Sequence, residues 1–293
     1  MKTLTIFTPT YNRAYCLIHL YESLLRQTSN DFEWLIIDDG STDNTKELTN
    51  LWISENKIKI SYFYKANGGM HTGHNAALNI IDTELCICID SDDYMPDDAV
   101  NNILKLWDAN RDKGYAGILG LDSYKDGSLV SSKKFPEQIK SGKYSFLKSD
   151  YGISGDVKFV YQTSIIKKYP DYPVFEGEKF VPLGYKYRLI DRDYEMLFLN
   201  SVLCVVEYME DGSTKNMYRQ YFRNPKGFAH SRLTTMKYTY PFKDRFFQAV
   251  HFVAETLLSK GSMFKNNPKW LMTIFSLPLG FALYIYILYL NKK

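Results

Sequence analysis

The stretch "CICIDSDDYMP" (residues 86–96) runs an apolar strand straight into three carboxylates, Asp90, Asp92 and Asp93, within four positions. Acids crowded in this way repel one another and are costly to desolvate. Three readings follow: the acids are exposed, they cap the helix that comes next, or a cation neutralises them. On this stretch alone, capping by Asp92 and Asp93 competes evenly with cation binding.

The surroundings place the cluster. Apolar runs at 4–8, 34–38, 58–63 and 85–89 are strand length, and helix-length segments lie between them around 14–27, 43–54 and 70–81. This alternation predicts an α/β fold with a Rossmann-like, mostly parallel central sheet, helices on both faces and ligands at the carboxyl ends of the strands. The acids end the fourth strand, so they face a ligand. In "DDGSTDNT" (38–45), Ser41, Thr42 and Asp43 are expected to cap the following helix, and Pro96 to sit in the first turn of a helix over 97–110. Further along, a fifth strand is expected over 115–121 and a hairpin in "SYKDGSLVSS" (123–132). A strand near 158–166, a helix near 186–200 and a buried strand over 201–209 complete the expectation. The expected organisation is a ligand-binding half over 1–120 and a second half over 121–235 of the same compact domain, then an apolar helical segment over 236–293.

Composition narrows the function. A net charge of +3 from 36 basic and 33 acidic residues implies no nucleic-acid partner. The four cysteines, at 16, 86, 88 and 204, form no C-x-x-C pair, and no long apolar segment opens the chain, so a reduced, cytoplasmic protein is expected. Near the other end, "WLMTIFSLPLGFALYIYILYL" (270–290) carries no charge and is flanked by Lys265, Lys269, Lys292 and Lys293. It is long enough to cross a bilayer. Pro278 and Gly280 interrupt it, so the expected form is two short helices at the inner face of the cell membrane, anchored by Trp270, Tyr284, Tyr286 and Tyr289. A true span and a buried or oligomeric helix pair are the alternatives. Lys237, Lys243 and Arg245 would add a basic shoulder.

Carboxylate oxygens suit Mg²⁺ or Mn²⁺, which take their remaining ligands from water and substrate phosphates. Four stretches in register give this a family context: "TIFTPTYNR" (5–13), "LIIDDGSTDNT" (35–45), "NGGMHTGHNAALN" (67–79) and "CIDSDD" (88–93). Their order and spacing resemble the family-2 glycosyltransferases of the GT-A fold that build bacterial cell-surface polysaccharide. The likeness covers about the first 120 residues.

The resemblance implies an inverting, metal-dependent transfer of sugar from a nucleotide sugar, most simply a UDP-sugar, to a lipid-linked saccharide acceptor. It implies that Pro9, Thr10, Tyr11 and Arg13 lie against the nucleoside and that Asp39 meets the pyrimidine edge. Asn67, Gly69 and Asn75 match a third element, in which Gly73 and His74 replace the usual alanine and arginine. His74 is the phosphate-side candidate there, although imidazole is a weaker phosphate partner than guanidinium. Asp90 and Ser91 would meet the donor, Asp90 and Asp92 the Mn²⁺ or Mg²⁺ ion. An inverting transfer also needs a carboxylate base. Glu178 in "FEGEKFVP" is the first candidate, with Asp156 and Glu176 as alternatives. Arg223 in "MYRQYFRNPKG" (217–227) would close over the diphosphate, with Arg219 as its alternative and Asn224 standing where processive relatives carry tryptophan. A homo-oligomer is compatible with this reading. So is a different class of protein, a nucleotide-sugar-binding assembly subunit without turnover. The glycine spacing is not that of a dinucleotide-binding dehydrogenase.

Overall fold

A computed structural model describes residues 2–207, 217–238 and 242–292. The chain divides into two compact units: Met1–Pro170 with Ile190–Tyr208, and Asp171–Leu189 with Met209–Lys293. This division differs from the expected boundaries at 120 and 235, because a short excursion after the first 170 residues belongs with the C-terminal helices.

The first unit is built on β1 (Leu4–Thr10), β2 (Phe32–Asp38), β3 (Ile60–Tyr64), β4 (Leu85–Cys88), β5 (Gly117–Tyr124), β6 (Ser141–Gly142), β7 (Val157–Gln162) and β8 (Met196–Val206). They form one sheet in the order β3-β2-β1-β4-β7-β5-β8-β6. The first four strands are parallel to one another, with Thr10 beside Asp38 and Phe7 beside Cys88, so the ends of β1, β2 and β4 open on one edge. Strand β7 runs antiparallel between β4 and β5, and β8 runs parallel to β5. Fully buried strands need apolar residues on both faces. Accordingly every residue of β1 is buried and all but Glu33 of β2.

Helices α1 (Ala14–Leu25), α2 (Thr45–Glu55), α3 (Met70–Ile80) and α4 (Ala99–Asp108) connect the parallel strands. Helix α4 buries Val100, Ile103 and Trp107, and Tyr21 of α1 stacks on Trp52 of α2 at 4.4 Å between ring centroids. Pro96 falls outside α4: its carbonyl accepts the Ala99 N–H in a turn at 3.0 Å, and Asp98 takes the N-cap position. Short helices α5 (Leu147–Tyr151) and α6 (Thr163–Ile166) follow. The expected turn after β5 is present, with the Tyr124 N–H donating to the Ser128 carbonyl at 2.8 Å. The expected helix near 186–200 is shorter, α7 (Gly184–Asp193), and the chain passes into β8 at Met196. Tyr208 and Met209 of the expected last strand, and Lys293 of the basic flank, lie outside the described residues.

The second unit contains α8 (Met217–Arg223), α9 (Pro225–Tyr238), α10 (Phe242–Leu258) and α11 (Trp270–Leu290). The expected pair of short apolar helices is instead one continuous helix with Pro278 inside it. Proline there removes a single backbone hydrogen bond. The cost is offset by close packing two residues on, where a Cβ on Gly280 would lie 2.9 Å from the Val250 carbonyl of α10.

Candidate active site

The acid segment 90–93 is fixed by its backbone. Ile89 N–H donates to Phe7 O (3.1 Å), while Tyr94 and Val205 exchange two hydrogen bonds of 3.2 and 2.8 Å, sewing the loop after β4 to β8. The Asp93 side chain is buried and accepts from Glu207 N–H (3.1 Å) and the Cys204 thiol (3.4 Å). It therefore caps nothing on α4. Burial, with Asp90 close by and Lys158 opposing, pushes Asp93 up to about 7. Asp90 accepts a weak bond from the Cys88 thiol at 3.8 Å.

Beneath these acids lies a charge pair that the sequence motifs do not disclose. Lys158 of β7 sits 3.7 Å from Asp122 of β5. Burial disfavours the lysine's charge, but Cys204, Asp122, Asp93 and Asp90 outweigh it and hold its proton well above the ordinary lysine range. Burial in turn raises Asp122 to about 6 against the opposing pull of Lys158. Three strands thus place one cation under a cluster of anions, which limits their mutual repulsion.

The loop after β1 approaches the same segment: Arg13 Nη1 lies 3.4 Å from Asp92 Oδ2 and donates to the Tyr15 hydroxyl at 2.8 Å. Thr10 is buried and Tyr11 exposed, so the two side chains meet different environments. Pro9 packs on α3, where a Cβ on Gly73 would come within 3.1 Å of the proline ring, so the alanine usual at this place would be crowded. His74 is buried edge-on against Phe7 at 5.0 Å, with Nε2 3.5 Å from Cys88 Sγ. The structure places it beside the base of the acid loop. Ser91 is buried, while Asn75 is half-buried on α3.

Asp38 and Asp39 divide their work. Asp38 accepts the Ser41 N–H at 2.7 Å and the Tyr62 hydroxyl at 2.6 Å. Asp39 accepts the N–H groups of Gly68 (2.9 Å) and Gly69 (2.7 Å), the Asn67 side chain (3.2 Å) and the Lys65 ammonium. Its expected place on the pyrimidine edge thus coincides with a hub that already gathers four donors from the loop after β3. His71, buried at the start of α3, is held below the ordinary imidazole range by burial, with Asp39 opposing and Lys65 reinforcing.

Of the capping residues expected over 41–43, Asp43 does this work, accepting the Thr45 N–H at 3.1 Å and the Ala14 N–H at 3.1 Å. One carboxylate therefore serves the first turns of both α2 and α1.

The base candidates fall in both units. Asp156 is exposed immediately before β7 in the first unit. Glu178 lies in the second, where its two oxygens accept the N–H groups of Lys226 (2.9 Å) and Gly227 (2.8 Å) at the start of α9. Glu176 is exposed on the same loop. Asn224 does not stand in for an aromatic platform: its Oδ1 accepts the Lys179 N–H at 2.9 Å and its amide donates to Gln220 Oε1 at 2.9 Å, fixing the loop that carries Glu178. Arg223 is exposed at the end of α8.

Among the described residues no group of three or more His, Cys, Asp or Glu side chains is assembled to enclose an ion. Asp90 and Asp92 nonetheless offer hard oxygen ligands on a backbone-anchored loop. This fits a cation that completes its shell with water and phosphate.

Comparison with known proteins gives the family and the fold. The family model described as Glycosyl transferase family 2 matches residues 5–169. An uncharacterized glycosyltransferase of Rickettsia felis is 33% identical over 141 residues, covering 48% of this chain and 22% of that protein. Chondroitin synthase of Pasteurella multocida is 34% identical over 128 residues, covering 44% and 13% respectively. The chain thus spans less than a quarter of the length of either relative. Among solved structures, S. aureus TarS 1-349 in complex with UDP-GlcNAc superposes with a TM-score of 0.60 at 17% identity, covering 98% of this chain and 90% of that one. A mannosyltransferase from Pyrobaculum calidifontis in complex with GDP-Man and Mn²⁺ gives 0.56 at 15% identity, covering 97% and 87%. At these identities the structures speak to the fold, which is GT-A.

Proposed function

Given that the chain belongs to glycosyl transferase family 2, we propose that it inverts the anomeric centre of a UDP-sugar while moving the sugar to a hydroxyl of a lipid-linked glycan. The reaction would serve bacterial polysaccharide synthesis at the inner face of the cell membrane. The observation that carries this is the convergence at one sheet edge: Asp90 and Asp92 after β4, Pro9 to Arg13 after β1, with Arg13 on Asp92 at 3.4 Å.

In this reading Asp90 and Asp92 hold Mn²⁺ or Mg²⁺. A divalent ion there supplies Lewis-acid neutralisation of the departing diphosphate, worth several kcal/mol. Arg13 steadies Asp92 and adds a second positive charge at the leaving-group side. Lys158 and Asp122 hold the floor of the acid loop in place. Tyr11, Asn67, Gly69 and Asn75 line the nucleoside side.

For the base, Glu178 is the first candidate, with Glu176 and Asp156 as alternatives, and the three stand in different surroundings. Both Glu178 oxygens are engaged by backbone N–H groups at a helix start, which holds the carboxylate in one place. Glu176 and Asp156 are exposed acids on loops. Amide variants decide: the base is the acid whose Asp→Asn or Glu→Gln change abolishes transfer while UDP-sugar binding survives.

The proposal as a whole is tested by thermal shift with UDP-sugars in the presence and absence of Mn²⁺. A ligand that binds only the folded state raises apparent stability by about 2.7 kcal/mol at a hundred times its Kd. The expected result is a shift that requires nucleotide sugar and metal together and is lost in Asp92→Ala. A metal-independent shift, unchanged in that variant, overturns the metal assignment.

A further inference from the structure

Helix α11 is sorted inside out for a helix in water. Its buried side is made of Thr273, Ser276, Gly280 and Ile287, three of them small. Its exposed side carries Leu271, Phe275, Leu279, Phe281, Ile285 and Tyr289, with Phe275 74% exposed. At 3.6 residues per turn these positions, with exposed Trp270 and Leu290 at the edges, sweep an arc of roughly 200°, and no residue from 270 to 290 is charged. A surface helix in water does the opposite, turning an apolar stripe of about 100° toward the core. Small residues between helices and large apolar ones outside are the arrangement expected where the surrounding medium is hydrocarbon.

We infer that α11 lies flat in the surface of a phospholipid bilayer, its long axis in the membrane plane and its exposed arc among the acyl chains. This rests on the membrane-side acceptor of the proposed function and selects one of the three seatings left open by the sequence.

Two observations choose the bilayer over a second copy of the chain, and the flat seating over a crossing. First, a neighbouring copy covers one stripe of a helix, whereas an uncharged arc this wide needs an apolar medium on several sides. Exposed Lys243, Lys260, Lys265 and Lys292 flank it, and anionic headgroups attract such charges by about 1 kcal/mol each.

Second, the narrow buried stripe is covered from end to end by helices and loops of the same unit. Asn267 donates to Thr273 Oγ1 at 2.8 Å near the start, and Gly280 packs against Val250 and Val253 of α10 in the middle. Near the end, Ile287 is fully buried and Asn291, just past the helix, donates to the Tyr218 carbonyl at 3.3 Å. Helix α10, which lies along α11, contains Glu255, 0% exposed and 3.3 Å from Arg232, and shows Lys243 and Asp244 to solvent. A crossing α11 would carry that charged companion into hydrocarbon, at a cost of a few kcal/mol or more per charge. A helix lying in the interface to a depth of about 5–10 Å avoids this, because its covered stripe faces protein while its open arc faces lipid.

The test uses the full chain and vesicles of phosphatidylcholine with and without phosphatidylglycerol. A fluorescent amino acid is placed in turn at Leu271, Phe275, Ala282 and Tyr286, and quenched by lipids brominated at defined acyl depths. The flat seating expects one shallow depth at all four positions and stronger binding to the anionic vesicles. It also expects at least about tenfold weaker partition in Phe275→Glu/Leu279→Glu, with far-UV circular dichroism and the UDP-sugar thermal shift unchanged. A profile deepest at the middle of the helix overturns the inference in favour of a span. Absence of vesicle binding together with concentration-dependent self-association overturns it in favour of a second copy. In both cases an intact UDP-sugar shift leaves the transferase reading standing, so the two failures are told apart.

Discussion

Helices α4 and α11 make opposite use of their side chains. Helix α4 buries Val100, Ile103 and Trp107 and leaves Asn101, Lys105 and Asp108 in solvent. Helix α11 buries Thr273, Ser276 and Gly280 and leaves Phe275, Leu279 and Phe281 outside. Both are regular helices of one chain, and under the inferred seating of α11 the difference is one of solvent. The first is sorted for water on its outer side, the second for something apolar, and the same substitution should act differently in each.

The largest effect is expected in α4. Trp107 is fully buried and donates to Glu84 Oε1 at 2.7 Å. Trp107→Ala should cost about 4 kcal/mol in urea unfolding. Next comes the seam of α11, where Gly280→Leu would drive a side chain into α10. A cost of about 2–3 kcal/mol is expected, read as a lower melting temperature for the helical unit.

A third measurement contrasts the buried acids of the first unit with the uncharged helix. Asp122 holds its proton up to about 6 in the folded state through burial, with Lys158 opposing, against about 4 when unfolded. The folded state binds the proton more tightly, so the contribution is fully present below about pH 4 and lost as pH rises through about 6. Wild-type stability should fall over that window by about 3 kcal/mol on this account, and Asp122→Asn should reduce the fall. A slope identical in the variant would remove Asp122 as its source. The smallest effect is Phe275→Glu in lipid-free buffer, within about 0.5 kcal/mol of wild type by urea midpoint. Equal costs for Trp107→Ala and Phe275→Glu would erase the contrast between the helices.

The parallel half of the sheet was legible because its signals are local: each strand, turn and helix from β1 to α4 is written in consecutive residues. So was the acid loop, since Asp90, Asp92 and Asp93 sit together in the chain. What surrounds them was not. Lys158, Asp122 and Cys204 come from β7, β5 and β8 and gather with Asp93 around the lysine only through a strand order that no local pattern encodes. Glu178 was read as the first base candidate, and the N–H groups its oxygens accept belong to Lys226 and Gly227, 48 and 49 residues later, which no local pattern connects to it. Asp39 was assigned to the pyrimidine edge, and the four donors it also holds, from Lys65 to Gly69, come from a loop some 26 to 30 residues further on. Pro278 was read as a break, but a helix pressed along a second one tolerates a missing bond.

The Asp43 carboxylate, shared between the first turns of α1 and α2, acts with the Asn12 bonds to Ser41 and Thr42 to rivet the segments after β1 and β2 together. A ligand that draws Arg13 inward must also tug the segment after β2, so adaptation to a bulkier nucleotide would require coordinated change on both sides of that fastening.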